Sequence, residues 1–385
     1  MIGKYDAAVI GGGPAGTITA GILAEDYEVV VLEEHSSSGL PMQCAGLVTQ
    51  GVLDMCEVVP EILNRIKGAD VVFPGGGRIE VRSKETKALL IDRTDLDRKL
   101  ADKASDKGAE IRYGTKYSAH KTTEDGVLIE ADGKEIISKL IIGADGQGSA
   151  VAMSLGNNLP KEYVSGIEVD VKHTSVYDDI MVLRIGSEFA PGFFSWEIPF
   201  GDMTRIGLCV NPEKGIPIEY LKKLMKELNI GTDEITSKYA GKIPLGGRPR
   251  SFGERTLLIG DAAGQVKPVS GGGLQPICKA APILGRIAKE SIAEDRTSSE
   301  FLSGYEKEWK KELGRELSNG YRIRKIYNSL SDEKFDKVFG IIDREDIRSI
   351  LNGIDLDNPS GVARPMLKHP GVGIRLLPMI MRGLL

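Results

Sequence analysis

Cysteine is scarce. The four residues Cys44, Cys56, Cys209 and Cys278 form no CxxC pair, which argues against a disulfide framework and against a metal site of zinc-ligand spacing. Histidine is as rare, with four residues and none beside a recognisable nucleophile, so Ser-His-Asp hydrolysis is disfavoured. Basic residues do not dominate: 50 Lys and Arg stand against 55 Asp and Glu, and the net charge of −5 implies no general polyanion surface and no nucleic-acid partner. No window reaches the roughly 18–20 apolar residues that span a bilayer. The most apolar tail, GVGIRLLPMIMRGLL, is broken by Arg375, Pro378 and Arg382. It reads either as a segment lying on a membrane surface or as a helix docked on the protein's own core. The opening MIGKYDAAVIGGG lacks a basic n-region and a cleavage site, so the expectation is a cytoplasmic protein, at most peripheral at a membrane.

A length of 385 residues is long for one core and predicts about two domains. An apolar run ending at Ile10, a glycine cluster, the helix-compatible PAGTITAGILAED and a second run, EVVVLE, make a β-α-β unit. Residues 94–107 read as an amphipathic helix capped by Thr94 with Asp97. From 160 to 245 strand patterns dominate, with one helix at PIEYLKKLMKELN, and antiparallel sheet is the natural reading. A buried strand returns at 256–260, a long helix follows, and the chain after 298 is mostly helical. The expected fold is α/β (α+β): a Rossmann-like nucleotide-binding domain (1–65, 85–158 and 245–297), an inserted antiparallel-sheet domain (66–84 and 159–244) and a helical C-terminal region (298–385).

Gly11, Gly13 and Gly16 form G-x-G-x-x-G between a strand and a helix. The first allows a tight turn, the second lets backbone approach a pyrophosphate, and the third lets helix and strand pack closely. The helix N-terminus beyond them, at Ala15 and Gly16, offers free N–H groups to the phosphates. Glu33, at the end of the second strand, is placed to accept bonds from ribose hydroxyls, with Glu34 beside it. Asp145-Gly146 and Gly260-Asp261 each follow a further buried strand. A simple NAD dehydrogenase needs neither, whereas an acid at 261 suits the hydroxyls of an FAD already anchored at Gly11–Gly16. Together these segments resemble the FAD-dependent hydroxylase and reductase superfamily typified by p-hydroxybenzoate hydroxylase, across residues 1 to about 295. The resemblance implies FAD as cofactor and sets Arg93, in DRTDLDRKL, near the flavin's phosphate region. PVSGGGLQP is expected to bring Gly272, Gly273 and Leu274 to the isoalloxazine.

Aromatic residues are few, yet PGFFSWEIPF holds one of two Trp and three of nine Phe within residues 191–200. It resembles the P-x-x-Y-x-W-x-F-P motif of the geranylgeranyl reductases, matching at Pro191, Trp196 and Pro199, with Phe194 in place of Tyr and Ile198 in place of Phe. The segment PMQCAGLV resembles that family's loop beside the flavin, which implies Cys44 and Ala45 as flavin neighbours. Cys44 either lines the site or transfers protons or electrons there, while Cys56, Cys209 and Cys278 read as small buried thiols. The resemblance implies reduction of isolated C=C bonds in geranylgeranyl chains of archaeal-type ether lipid precursors, by hydride from reduced flavin N5 plus a proton. Phe194 and Trp196 share one strand face, and with Phe193, Pro191 and Pro199 they are expected to wall a prenyl channel. Aromatic faces there attract the positive charge that builds at the tertiary carbon. The expected partners are a prenylated lipid and an external electron donor: NAD(P)H, ferredoxin or deazaflavin. Arg248, Arg250, Arg322, Arg324 and Lys325 are the basic residues considered for a lipid phosphate. Other readings stay open on the same scaffold: a flavin monooxygenase, a reductase of menaquinone or chlorophyll-type prenyl chains, and a non-catalytic FAD electron carrier.

Overall fold

The computed structural model describes residues 3–156, 158–369 and 372. The apolar tail 371–385 lies outside them, Val372 excepted. Runs such as Val29–Leu32, wholly apolar and almost fully buried, lie in a sheet covered on both faces, parallel from Thr256–Leu258 to Glu110–Arg112 and antiparallel where Phe252–Gly253 joins it. Its order is Phe252–Gly253, Thr256–Leu258, Lys134–Gly143, Gly3–Ile10, Val29–Leu32, Glu110–Arg112. The hairpin of Tyr117–Thr123 and Gly126–Ala131 is attached at Lys134–Gly143. Strand alternation splits the core in two. Ala7, Val9, Val29 and Val31 pack with the helix Leu274–Ala293. Ala8, Ile10, Val30 and Leu32 pack with Val127, Ile129 and Val151.

The second sheet has seven strands, in the order Ile235–Leu245, Glu162–Val171, Met203–Val210, Phe194–Phe200, Ile180–Ile185, Gly68–Val72, Arg78–Arg82. All neighbours are antiparallel except Ile180–Ile185 with Gly68–Val72. That parallel pair arises where a hairpin from an earlier part of the chain joins the sheet. The helix Pro217–Glu227 covers one face through Leu221, Leu224 and Met225, which pack on Ile167, Val169, Ile206 and Leu208. The other face is turned to the parallel-sheet half, as Arg205 and Phe193 make plain below.

The helix Ser299–Ser329, 31 residues and about 46 Å long at 1.5 Å per residue, touches both halves. Tyr305 and Trp309 are buried under the parallel sheet, and the Tyr327 hydroxyl donates to the backbone carbonyl of Phe193. The helix Arg93–Asp106 begins one residue earlier than its pattern predicts. Its cap is Asp92, whose carboxylate accepts from the N–H groups of Thr94 and Asp95. Thr94 and Asp97 form no capping pair, because Asp97 is engaged by Arg93.

Candidate active site

Register brings the sequence-distant acids to one edge. Ile10 lies opposite both Leu32 and Gly143, and Gly143 opposite Leu258. The residues that follow are therefore side by side at the carboxyl ends of the strands, where open α/β sheets bind ligands. The glycines there are sterically required. Gly11 has φ +103°, and a Cβ on it would lie 2.5 Å from the Ala144 carbonyl oxygen. A Cβ on Gly16 would lie 1.9 Å from the Gly11 carbonyl oxygen. Gly13 differs: nothing stands within 4 Å of where its Cβ would be, so the backbone is open to an approaching group. It precedes the helix Pro14–Leu23, in which Ala15 is packed against Gly260.

Glu33 is buried. Its Oε2 accepts from Gly12 N at 2.6 Å, and its Oε1 accepts from His35 N at 2.8 Å. Glu34 faces outward and pairs with Lys116 at 2.9 Å. The Asp145 carboxylate is occupied within its own turn, accepting from Ser149 Oγ at 2.5 Å and Val151 N at 3.2 Å. What it leaves open is backbone at Gly146, which has φ +74° and no neighbour near its Cβ position. Burial pushes Asp261 up to about 6, against the pull of Arg93 and Arg248. A Cβ on Gly273 would lie 3.2 Å from Asp261 Oδ1, so acid and loop are adjacent. Gly272 lies against the stem of Lys267, whose Nζ donates to Leu356 O at 3.1 Å. Lys267 is buried and lies against Gly272, yet in QVKP no spacing marks it. An open glycine turn, a helix N-terminus and buried acids at the ends of adjacent strands fit a dinucleotide with a ribityl chain, and thus FAD.

The Arg93 guanidinium, mostly buried, is 2.9 Å from Asp97 Oδ1 and faces the Cys44 thiol. Burial opposes its charge, but Asp97 and Cys44 outweigh burial and hold it above the usual arginine range. Arg205 crosses between the halves. It donates through Nη1 to Ala45 O at 2.8 Å, and through Nε and Nη2 to Asp170 at 2.7 and 2.9 Å. Its guanidinium lies over Phe200 and Tyr239. A cavity of about 580 Å³ opens here, bordered by Met42, Phe200, Arg205 and Tyr239. Arg205 escapes notice in TRIGLCV because a lone arginine in a strand carries no motif.

Phe194 and Trp196 do lie on one face and meet edge to face, centroids 6.1 Å apart. Phe193 stands behind them as buried core, stacked on Phe194 at 4.4 Å. It adjoins the glycine loop: a Cβ on Gly271 would lie 3.6 Å from its ring. Pro191 and Pro199 are pinned through their carbonyls, by Asn211 N at 2.9 Å and Asn64 Nδ2 at 2.7 Å. The indole of Trp196 lies across Gly207, whose Cβ would be 2.4 Å from the ring, and reaches Glu168 Oε2 in the strand beyond, 2.8 Å from Nε1. Cys56, Cys209 and Cys278 are buried thiols, Cys56 and Cys278 with sulfurs 3.5 Å apart. The basic residues considered for lipid phosphate do not converge. Arg248 and Arg250 bond backbone carbonyls, and Arg324 is buried on Glu162. Arg322 lies by Asn319, and Lys325 over Tyr321.

The edge-on glycine cradle, joined to a sheet that presents an aromatic wall, defines a flavin-dependent oxidoreductase with FAD as its cofactor. A family model described as FAD binding domain matches residues 4–185. The chain is 32% identical to digeranylgeranylglycerophospholipid reductase 2 of Methanothermobacter thermautotrophicus, over 90% of this chain and 94% of that protein. It is 29% identical to digeranylgeranylglycerophospholipid reductase of Methanocaldococcus jannaschii, over 96% of each. A crystal structure of a geranylgeranyl bacteriochlorophyll reductase-like protein from Thermoplasma acidophilum has the same fold, with TM-score 0.86 at 21% identity, over 98% of this chain and 100% of that one. The chain belongs to the digeranylgeranylglycerophospholipid reductase family.

Proposed function

We propose that this protein saturates isolated C=C bonds in the geranylgeranyl chains of ether lipid precursors. The observation that carries the reading is the junction of aromatic wall and glycine loop, where the Phe193 ring is 3.6 Å from a Cβ position on Gly271. Reduced FAD supplies hydride from N5. Gly11, Gly13 and Gly16 would hold its pyrophosphate at the helix N-terminus, Glu33 and Asp261 would accept from its hydroxyls, and Gly272, Gly273 and Leu274 would border its ring. Cys44, Ala45 and Arg93 lie together and are joined to the second sheet through Arg205. Phe194 and Trp196 exclude water from the prenyl chain and face the charge that develops at its tertiary carbon, worth about 0.5–2 kcal/mol per ring.

Electrons come from an external donor, a nicotinamide, a ferredoxin or a deazaflavin, and the lipid is taken up at a membrane surface. No helix among the described residues is long and apolar enough to cross a membrane. The test is anaerobic incubation of the dithionite-reduced protein with a digeranylgeranyl lipid, followed by mass spectrometry. Gain of two hydrogens per double bond is expected. Gain of oxygen in air would indicate hydroxylation instead, and an unchanged lipid would leave an electron carrier.

A further inference from the structure

Saturating an alkene takes a proton as well as a hydride, and the aromatic wall has none to give. Two carboxyls, Glu168 and Asp170, lie on the sheet face that carries Trp196 and Arg205. Asp170 is fully engaged, with an oxygen on each of two Arg205 nitrogens and Tyr239 Oη 3.4 Å away. Glu168 is not. Only 5% exposed, it accepts from Trp196 Nε1 through Oε2, while Oε1 has no hydrogen-bond partner. Arg205 Nε, at 3.9 Å from Oε1, is beyond hydrogen-bond reach. A buried ionised oxygen left so is costly. A carboxylic acid with its O–H directed to a substrate is not.

We propose that Glu168 is the acid that protonates the alkene, held in place by Trp196 lying across Gly207; the proposal rests on the prenyl reductase reading. The O–H bond of Glu168 breaks, and the alkene π pair takes the proton at the less substituted carbon. The tertiary carbon, electron-deficient and facing Phe194 and Trp196, would take the hydride that bound reduced flavin supplies at the expense of its two electrons. The Glu168 carboxylate is left near Arg205 and recovers a proton from solvent before the next turnover.

The surroundings favour a neutral acid. Burial pushes Glu168 up to about 7, with Asp170 adding to the rise, against the pull of Arg205 and the Trp196 hydrogen bond. Cys209, whose thiol is raised by burial and by Glu168, and Tyr239, paired with Glu168 across the strands, are the other titratable neighbours.

The test compares wild type, Glu168→Gln and Glu168→Asp, each FAD-loaded and reduced with dithionite. The expected result is a fall in turnover of at least about 100-fold in Glu168→Gln, with partial return in Glu168→Asp. Flavin absorbance per chain should be unchanged, and wild-type kcat should decline above about pH 7. A second readout needs no flavin. In a Trp309→Phe background Trp196 is the sole tryptophan, and its fluorescence should titrate near pH 7 and lose that transition with Glu168→Gln. Turnover of Glu168→Gln within about twofold of wild type, or fluorescence flat from pH 5 to 9, overturns the proposal alone. Wild type that reduces no prenyl chain overturns both it and the functional reading beneath it.

Discussion

The two sheets solve opposite problems. The parallel sheet presents charge-binding backbone at one edge and keeps side chains out: Gly11, Gly13 and Gly16 work because they have none. The second sheet presents a face, and what matters there is which side chains rise from it. Its glycines serve those side chains, as Gly207 does by letting the Trp196 indole lie down and reach the next strand. On the proposed function, a ligand with many charges and hydroxyls would be met by main chain, and a featureless hydrocarbon by ring faces.

This contrast breaks most sharply at the cradle. In Gly13→Val the new side chain points into open space, so the apo protein should melt within about 3 °C of wild type. FAD affinity should nevertheless fall by at least about 100-fold, as blocked pyrophosphate contacts imply. Gly16→Val, aimed at the Gly11 carbonyl, should lose the fold as well, by more than about 3 kcal/mol. Absorbance of bound flavin and thermal melts separate the two. On the face, Gly207→Ala should displace the indole and lower prenyl turnover by about tenfold or more with full flavin occupancy, as misplacement of a positioned group implies. Steady-state rates and Trp196 emission check this. Phe194→Ala should lower kcat/KM by about 2- to 30-fold, the equivalent of one lost cation–π face.

A last effect concerns stability. A carboxyl raised in the fold stabilises fully below its unfolded value and loses that contribution as pH rises through its folded one. For Glu168, raised from 4.5 to about 7 by burial, Glu168→Gln should therefore gain stability relative to wild type across that window, by up to about 3 kcal/mol. Urea unfolding at pH 4.5 and pH 8 tests it.

The cradle was legible in the sequence because its parts are contiguous: a tight turn needs neighbouring residues, and G-x-G-x-x-G states the turn and the helix together. The aromatic strand was legible for the same reason. Glu168, Arg205 and Gly207 were not. They meet only by pairing across strands, and IEVDV has the alternation of any strand with one wet face. Here that polar face is closed off by the other half of the molecule. Lys267 was missed likewise, since its partners come from residues 356–357, some 90 positions on. The Asp92 cap lost to Thr94 because both suit a helix start, and only the engagement of Asp97 by Arg93 decides between them.

The long Ser299–Ser329 helix acts as a splint across the gap between the sheets. Swinging them apart would strip Tyr305 and Trp309 from one core or tear Tyr327 from the aromatic strand. On the proposed function, a lipid tail would then reach the aromatic strand through local movements rather than by the two sheets swinging apart.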